Sequence, residues 1–555
     1  MKVFMRVNYC PCILIGLLLL ISSLTLAQVP DNEKVRAGAE RAFEKFASSI
    51  VMPAPGCSVG VSLNGRVVFE NAFGLAEMEY KIPNTPQTIF ESGSVAKQFT
   101  AAAIVLLAQD GKLSLDDPVR KYLPEMPDYG SPLTIRQMLH HTAGLRDWGN
   151  VMALTGVGRG DRVVTQELAL DVLSRQKGLD FKPGDEFSYS NSGYNLAAII
   201  VERVSKQKFG DFLLERFFKP LGMTHSSIRD DYRRVVPGRA QAYSRDAKGE
   251  WLLNMPFMNV YGNGGMLTTV GDWSKWNAML DGRTFNAKLV DELETQGVLN
   301  DGRKIPYALG LAHEKYRGIS LVGHGGGTAG YQTFLVRYPE KTISIALLCN
   351  GPSPSSGEVA NKIIDEIYGP FPAPSPAPAA VETLSEDKLK RFVGLWRDTK
   401  THSPVRTSID GGMLKLGNNK LLSNGENSFR IGSAKIKFTT GKDDVPTAVE
   451  VDRSGDIQRL AAEKEWAPAA SDLRSFAGDW YSEEAGAAFT FAVEGDKAFL
   501  VQRPSTKLSL QAVYKDHFSA GGYMIWFTHD KSGKITQLHI GGSRARDILF
   551  ERFHK

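Results

Sequence analysis

Apolar and polar positions alternate through residues 57–73 on either side of an Asn64-Gly65 pair, the period-two pattern of a half-buried hairpin closed by a tight turn. Over residues 96–109 the spacing becomes helical, with apolar side chains gathered on a face that must be buried. A further apolar strand follows at residues 342–349, close to Pro370. The simplest arrangement draws strands from both ends of this region into one sheet and packs the helical middle on it. The fold class expected is therefore α+β, an antiparallel sheet flanked by helices.

Beyond the proline-dense run 369–378, which favours an extended spacer over a packed element, the pattern changes to short alternating strands and Gly, Asp and Asn turns, as at 413–416 and 498–501. This part repeats itself. Leu389, Phe392, Gly394 and Trp396 line up with Leu473, Phe476, Gly478 and Trp480 at a constant offset of 84 residues. A helical turn feeding a Gly-x-Trp strand and a series of short strands suits a small closed antiparallel barrel, because closure removes exposed strand edges. Two small antiparallel β-barrels are expected, with Trp396 and Trp480 in their cores. The organisation read from these patterns is a first, mixed domain over 28–368, a Pro/Ala-rich linker over 369–383, and barrels over 384–466 and 467–555.

Composition sharpens the picture at few points. The 555 residues carry 66 Lys+Arg against 61 Asp+Glu, a net charge of +5 with no basic arm, which argues against a nucleic-acid partner. Residues 1–27 read as a secretory signal peptide: Lys2 and Arg6 precede an apolar run, and Thr25-Leu26-Ala27 offers a small-residue cleavage site. Its loss would take the charge from +5 to +3. No other segment is long and apolar enough for a permanent membrane span, so a secreted protein, periplasmic or extracellular, is expected. Cys57 and Cys349 then remain, compatible with either one bridge or two buried thiols.

The candidate chemistry begins at Ser94-Val95-Ala96-Lys97, where a strand-like segment gives way to the helix. Residues three apart share a helical face, so hydroxyl and amine can meet. A lysine in a first turn opposes the helix dipole, and if desolvated it can take the serine proton. Spacing alone proves little, since Ser-x-x-Lys also occurs at Ser174, Ser205 and Ser385. Order decides more. After Ser94 come His141-Thr142-Ala143-Gly144-Leu145, then Tyr189-Ser190-Asn191 within a longer polar turn, then Gly262-Asn263-Gly264-Gly265-Met266, and last His324-Gly325-Gly326-Gly327.

With these ordered segments, residues from about 35 to 368 resemble the serine β-lactamase and penicillin-binding superfamily, in the branch holding class C β-lactamases, D-aminopeptidases and related esterases. The resemblance implies a β-lactamase/transpeptidase-like fold and a serine hydrolase without metal or organic cofactor. It makes Ser94 the acyl-accepting nucleophile and Lys97 its activator. Tyr189 becomes a base or proton relay, and Asn191 holds Lys97 and the substrate amide. His324, Gly325 and Gly326 become a strand edge lining the site, with the backbone N–H groups of Ser94 and Gly327 as oxyanion hole. Many relatives have lysine where His324 stands. A mostly neutral histidine there favours a neutral ester, or an amide with a free amine, over β-lactams and free peptide C-termini. D-aminopeptidases of this family also carry two barrels after the hydrolase domain, one of which reaches the mouth of the active site.

The activity expected is amide or peptide hydrolysis of the D-aminopeptidase or D,D-peptidase kind, with esterase or β-lactamase as the alternative. The substrate is thus a small peptide, amide or ester, with cell-wall fragments as a candidate source. Other readings fare worse. Gly56-Cys57-Ser58-Val59-Gly60 fits a nucleophile elbow, but the alternating residues and Asn-Gly turn that follow are not a helix. His313-Glu314 lacks a second histidine four residues on, and the adjacent His140 and His141 point to different sides, so metal hydrolysis has no ligand set. A catalytically silent cell-wall or protein-binding module is the rival from another class. Retention of Ser94, Lys97, Tyr189 and Asn191 together argues against it.

Overall fold

Asn64 and Gly65 both adopt positive φ, the geometry of the two-residue turn that matches strand twist, and they close a hairpin of β1 (Cys57–Leu63) and β2 (Arg66–Phe73). In this computed structural model, residues 31–157, 162–352, 354–371, 384–453, 455–503 and 506–553 are described; the expected signal peptide and most of the expected linker lie outside them. The hairpin joins β3 (Ala312–Tyr316), β4 (Ile319–Thr328), β5 (Tyr331–Tyr338) and β6 (Ile343–Cys349) in one antiparallel sheet of order β3-β4-β5-β6-β1-β2. Both ends of the region do meet: β1 pairs with β6 along its whole length.

Every residue of β1 and β6 is buried, because helices cover both faces of the sheet. On one face lie α1 (Asn32–Ser49) and, from later in the chain, a helix over Ser356–Tyr368, sharing a core with Val59, Val61 and Ile345. On the other lies the helical layer. Its centre is α2 (Lys97–Gln109) against α3 (Ser192–Ser205), both buried over most of their length, and α4 (Val270–Gly282) packs between them and the sheet. Cys57 and Cys349, directly opposite on β1 and β6, form a disulfide with Cα atoms 4.0 Å apart. The open question of bridge or thiols is thereby answered.

The repeat at the C-terminal end is structural as well as sequential. Each copy starts with a short helix, Glu386–Lys390 or Ala470–Phe476, and leads into a strand carrying the tryptophan. The first is a nine-stranded antiparallel sheet curled around Phe392, Trp396, Phe429 and Phe438. The second is a closed eight-stranded barrel in which Trp480 is fully buried. Its core runs without a break into the helical layer of the first region.

Polar contacts fix that second barrel in place. Glu484 and Arg146, each almost completely buried, form an ion pair at 2.7 Å. Glu484 also accepts from the backbone N–H of Lys177 and of Leu549, so its charge is spread over three donors from both bodies. A buried pair of this kind adds little net stability, but removing Glu484 leaves the buried Arg146 with only the more distant Asp180 carboxylate, at 3.7 Å. Glu484→Ala should therefore destabilise the docked barrel by about 3–5 kcal/mol, seen in urea unfolding as an early transition that the parent protein lacks.

Candidate active site

Ser94 lies on a single 3-10 turn, Gly93–Ala96, that runs straight into α2. The turn delivers Lys97 one step later, wholly buried. The Lys97 amine reaches three oxygens: Ser94 Oγ at 3.0 Å, Asn191 Oδ1 at 2.9 Å and the Asn263 carbonyl at 2.7 Å. Two of these can only accept. A neutral amine donates to both and keeps its lone pair for the Ser94 hydroxyl hydrogen. Burial pushes the Lys97 pKa well below its ordinary 10.5; Asp147 pulls it back up, and Arg544 adds to the lowering.

Asn191, just ahead of α3, is oriented by a residue that the sequence reading passed over. Asp147 Oδ2 accepts from both the backbone N–H and the side-chain Nδ2 of Asn191, each at 2.9 Å, which leaves Oδ1 facing Lys97. Asp147 in turn caps the short helix Trp148–Ala153 by accepting from the Gly149 and Asn150 N–H groups. Its only local signal was that of a helix cap.

Tyr189 sits beside this group, with the Lys97 amine 5.0 Å from its ring centre. Its hydroxyl is buried and lies near Ser94 without completing a hydrogen bond to it. Burial raises the phenol pKa strongly, against the pull of Ser94 and Arg544, so the resting side chain is the protonated phenol.

The His324-Gly325-Gly326-Gly327 segment forms the end of β4 beyond the reach of β3, whose pairing stops at Gly323. The free edge presses on the turn that carries Ser94: a Cβ added to Gly326 would stand 2.2 Å from the Ser92 carbonyl and 3.1 Å from the Ser94 nitrogen. Only glycine permits that approach. His324 is held neutral. Its Nδ1 donates to the Gly325 carbonyl, leaving Nε2 to accept from Tyr307, and burial together with Lys97 brings its pKa down to about 4. The cation of many relatives is thus missing from this strand.

Ser94, Tyr189, Asn191, His324, Gly325 and Gly327 line one cavity of about 360 Å³. The second barrel contributes to it. The turn between β7 (Ile535–Gly542) and β8 (Ala545–Arg552) brings Arg544 to the mouth, with its guanidinium 5.0 Å from the Tyr189 ring centre. Neither Arg544 nor Tyr307 carried a sequence signal for such a place. A larger cavity, about 680 Å³, opens between the first barrel and the loops around Asp185 and Arg303, away from the nucleophile.

The other candidates are ordinary structural residues. Ser58 is a buried β1 serine donating to the Thr85 carbonyl, while Ser174 and Ser205 end their helices and Ser385 precedes one. His140 pairs with the Thr295 carbonyl, and His141 stacks among Tyr189, Tyr194 and Tyr307.

Residues 51–368, more than half of the chain, match the family model described as Beta-lactamase. The chain belongs to this family. It is a serine hydrolase. Among its relatives are the D-aminopeptidase of Brucella anthropi, 26% identical over 93% of this chain and 99% of that one, and penicillin-binding protein 4* of Bacillus subtilis, 29% identical over 68% and 89%. The octameric penicillin-binding protein homologue from Pyrococcus abyssi superposes with a TM-score of 0.54 at 22% identity, covering 94% of this chain and all of that one, which shows the shared fold including the barrels.

Three outcomes follow from this geometry. Gly326→Ala, by forcing β4 off the nucleophile turn, should lower kcat by about 100-fold or more, with thermal unfolding monitoring the fold. The kcat/KM–pH profile should rise with a midpoint below the 10.5 of an ordinary lysine as Lys97 deprotonates. Arg544→Gln removes a like charge, so that midpoint should move to higher pH.

Proposed function

We propose that the protein is a secreted amide or peptide hydrolase of the D-aminopeptidase or D,D-peptidase kind, working through an acyl-enzyme on Ser94. The observation carrying this reading is the contact between the Ser94 hydroxyl and a fully buried Lys97 whose remaining partners only accept hydrogen bonds. The relatives named D-aminopeptidase support the substrate class. Secretion is supported by the leader-like segment 1–27 and by the disulfide, which suits an oxidising compartment.

The two pKa directions divide the labour. Lys97, shifted down, takes the Ser94 proton as Oγ attacks the amide carbonyl. The N–H groups of Ser94 and Gly327 receive the developing oxyanion. Tyr189, shifted up and protonated at rest, gives its proton to the departing nitrogen and regains one from Lys97. Water then attacks the Ser94 ester, its proton returning through the same pair, and the acid leaves. Asn191, fixed by Asp147, holds the amine in register throughout. Esterase activity is the second reading, favoured by the neutrality of His324.

Labelling with a fluorophosphonate or β-lactam probe should modify the Ser94 peptide and vanish in Ser94→Ala. No labelling with any such probe would instead favour a silent binding module. Tyr189→Phe should lower kcat for amides by about 100- to 10,000-fold, and less for esters with good leaving groups, which need no proton on departure. Against D-alanyl amides, D-alanyl-D-alanine peptides, nitrocefin and short esters, a clear preference for the esters would overturn the amide reading.

A further inference from the structure

The hairpin tip that reaches the cavity is clamped on both sides. The Arg544 carbonyl accepts from the Asp147 N–H at 2.7 Å, the Arg546 N–H donates to Asp180 at 2.7 Å, and Arg146 donates to the Asp547 carbonyl at 2.8 Å. The position of Arg544 is therefore set by backbone contacts on either side of it, while its own side chain stays exposed. Of the cations around it, Arg146 is paired with Glu484 and Arg546 with Glu186, while Arg229 and Arg239 share Glu91 and the buried Arg229 keeps Nη1 without a partner among the described residues. Among the described residues, no carboxylate lies within ion-pair distance of Arg544. The two carboxylates that line the cavity are also taken, Glu91 by its arginines and Asp147 by Asn191 and the helix cap.

Among the described residues Arg544 is thus a cation without a counter-ion, held 5.0 Å from the Tyr189 ring centre at the cavity, where its field opposes protonation of Lys97. We propose that Arg544 is a specificity-determining residue that binds a carboxylate on the leaving-group side of the substrate, so that preferred substrates are peptides releasing an amino acid with a free carboxylate. This rests on the amide-hydrolase reading and chooses within it. The side follows from chemistry. Tyr189 protonates the departing nitrogen, and in an α-amino acid the carboxylate lies two bonds from that nitrogen. A carboxylate so placed would lie on the Tyr189 side of the cavity, where the Arg544 guanidinium stands 5.0 Å from the ring centre. Arginine suits the task because its planar fork meets a carboxylate with two parallel N–H donors. Arg544 would then supply, from another domain, the charge that His324 lacks.

The test compares N-acetyl-D-alanyl-D-alanine with its C-terminal amide, which differ only in that charge. The parent protein should favour the carboxylate in kcat/KM by about 10- to 100-fold. Arg544→Gln should bring the ratio close to one, Arg544→Glu should invert it, and Arg544→Lys should restore part of it. Each ratio is taken within one variant, so a general loss of activity or a shifted Lys97 cancels. Binding of both peptides to Ser94→Ala, and to Ser94→Ala carrying Arg544→Gln, is measured by calorimetry in parallel. Carboxylate-dependent binding that needs Arg544, without turnover, would keep this inference and sink the hydrolase reading. Equal handling of the two peptides, or a preference that survives Arg544→Glu, would overturn the inference and leave the hydrolase reading standing.

Discussion

A lysine amine completely removed from water, with two of its three partners unable to donate, is the constraint on which the site depends. Desolvation disfavours its charged form, and the acceptor-only neighbours direct its lone pair at Ser94. The burial is provided by α2 and α3, which are apolar on almost every side. The direction is provided by Asn191, whose amide would be free to flip were its Nδ2 not committed to Asp147. Substituting Asp147 would thus alter the chemistry without touching a reacting atom. It is a positioning residue for Asn191, as Tyr307 is for His324.

Asp147 also connects two domains. Its carboxylate orients the amide that holds Lys97, while its backbone N–H binds the carbonyl of Arg544 in the second barrel. One residue therefore separates the barrel hairpin from Asn191, the partner of Lys97. The buried Arg146–Glu484 pair, one position earlier in the chain, holds the same junction. The second barrel reaches the candidate site through Arg544, its one residue among those lining the cavity. The first barrel touches the hydrolase domain through polar contacts such as Lys400 with Glu186, and leans on the second through His402 stacked on Trp526.

Electrostatically the cavity is sparse. His324 is neutral, Lys97 is poised to be neutral, and Glu91 and Asp147 have internal partners, so the cavity's cations are the buried Arg229 and the exposed Arg544.

The local patterns along the chain were sufficient for the hairpin at Asn64-Gly65, the helix after Ser94, the tryptophan-bearing barrel repeats and the ordered segments containing Ser94, Lys97, Tyr189, Asn191 and His324. Each is written within a few residues, as a period, a turn or a spacing, and such signals survive without knowledge of the rest of the fold. The sequence could not say whether Cys57 and Cys349 are joined, because that depends on β1 and β6 being neighbours in exact register across 292 residues of chain. Nor could it reveal Asp147, Tyr307 or Arg544, whose residue types and local settings are those of a helix cap, a buried aromatic and a turn. Their meaning comes from what long-range packing places against them. Burial, charge partners and hydrogen-bond direction, the quantities that set a pKa or select a substrate, are properties of three-dimensional neighbours.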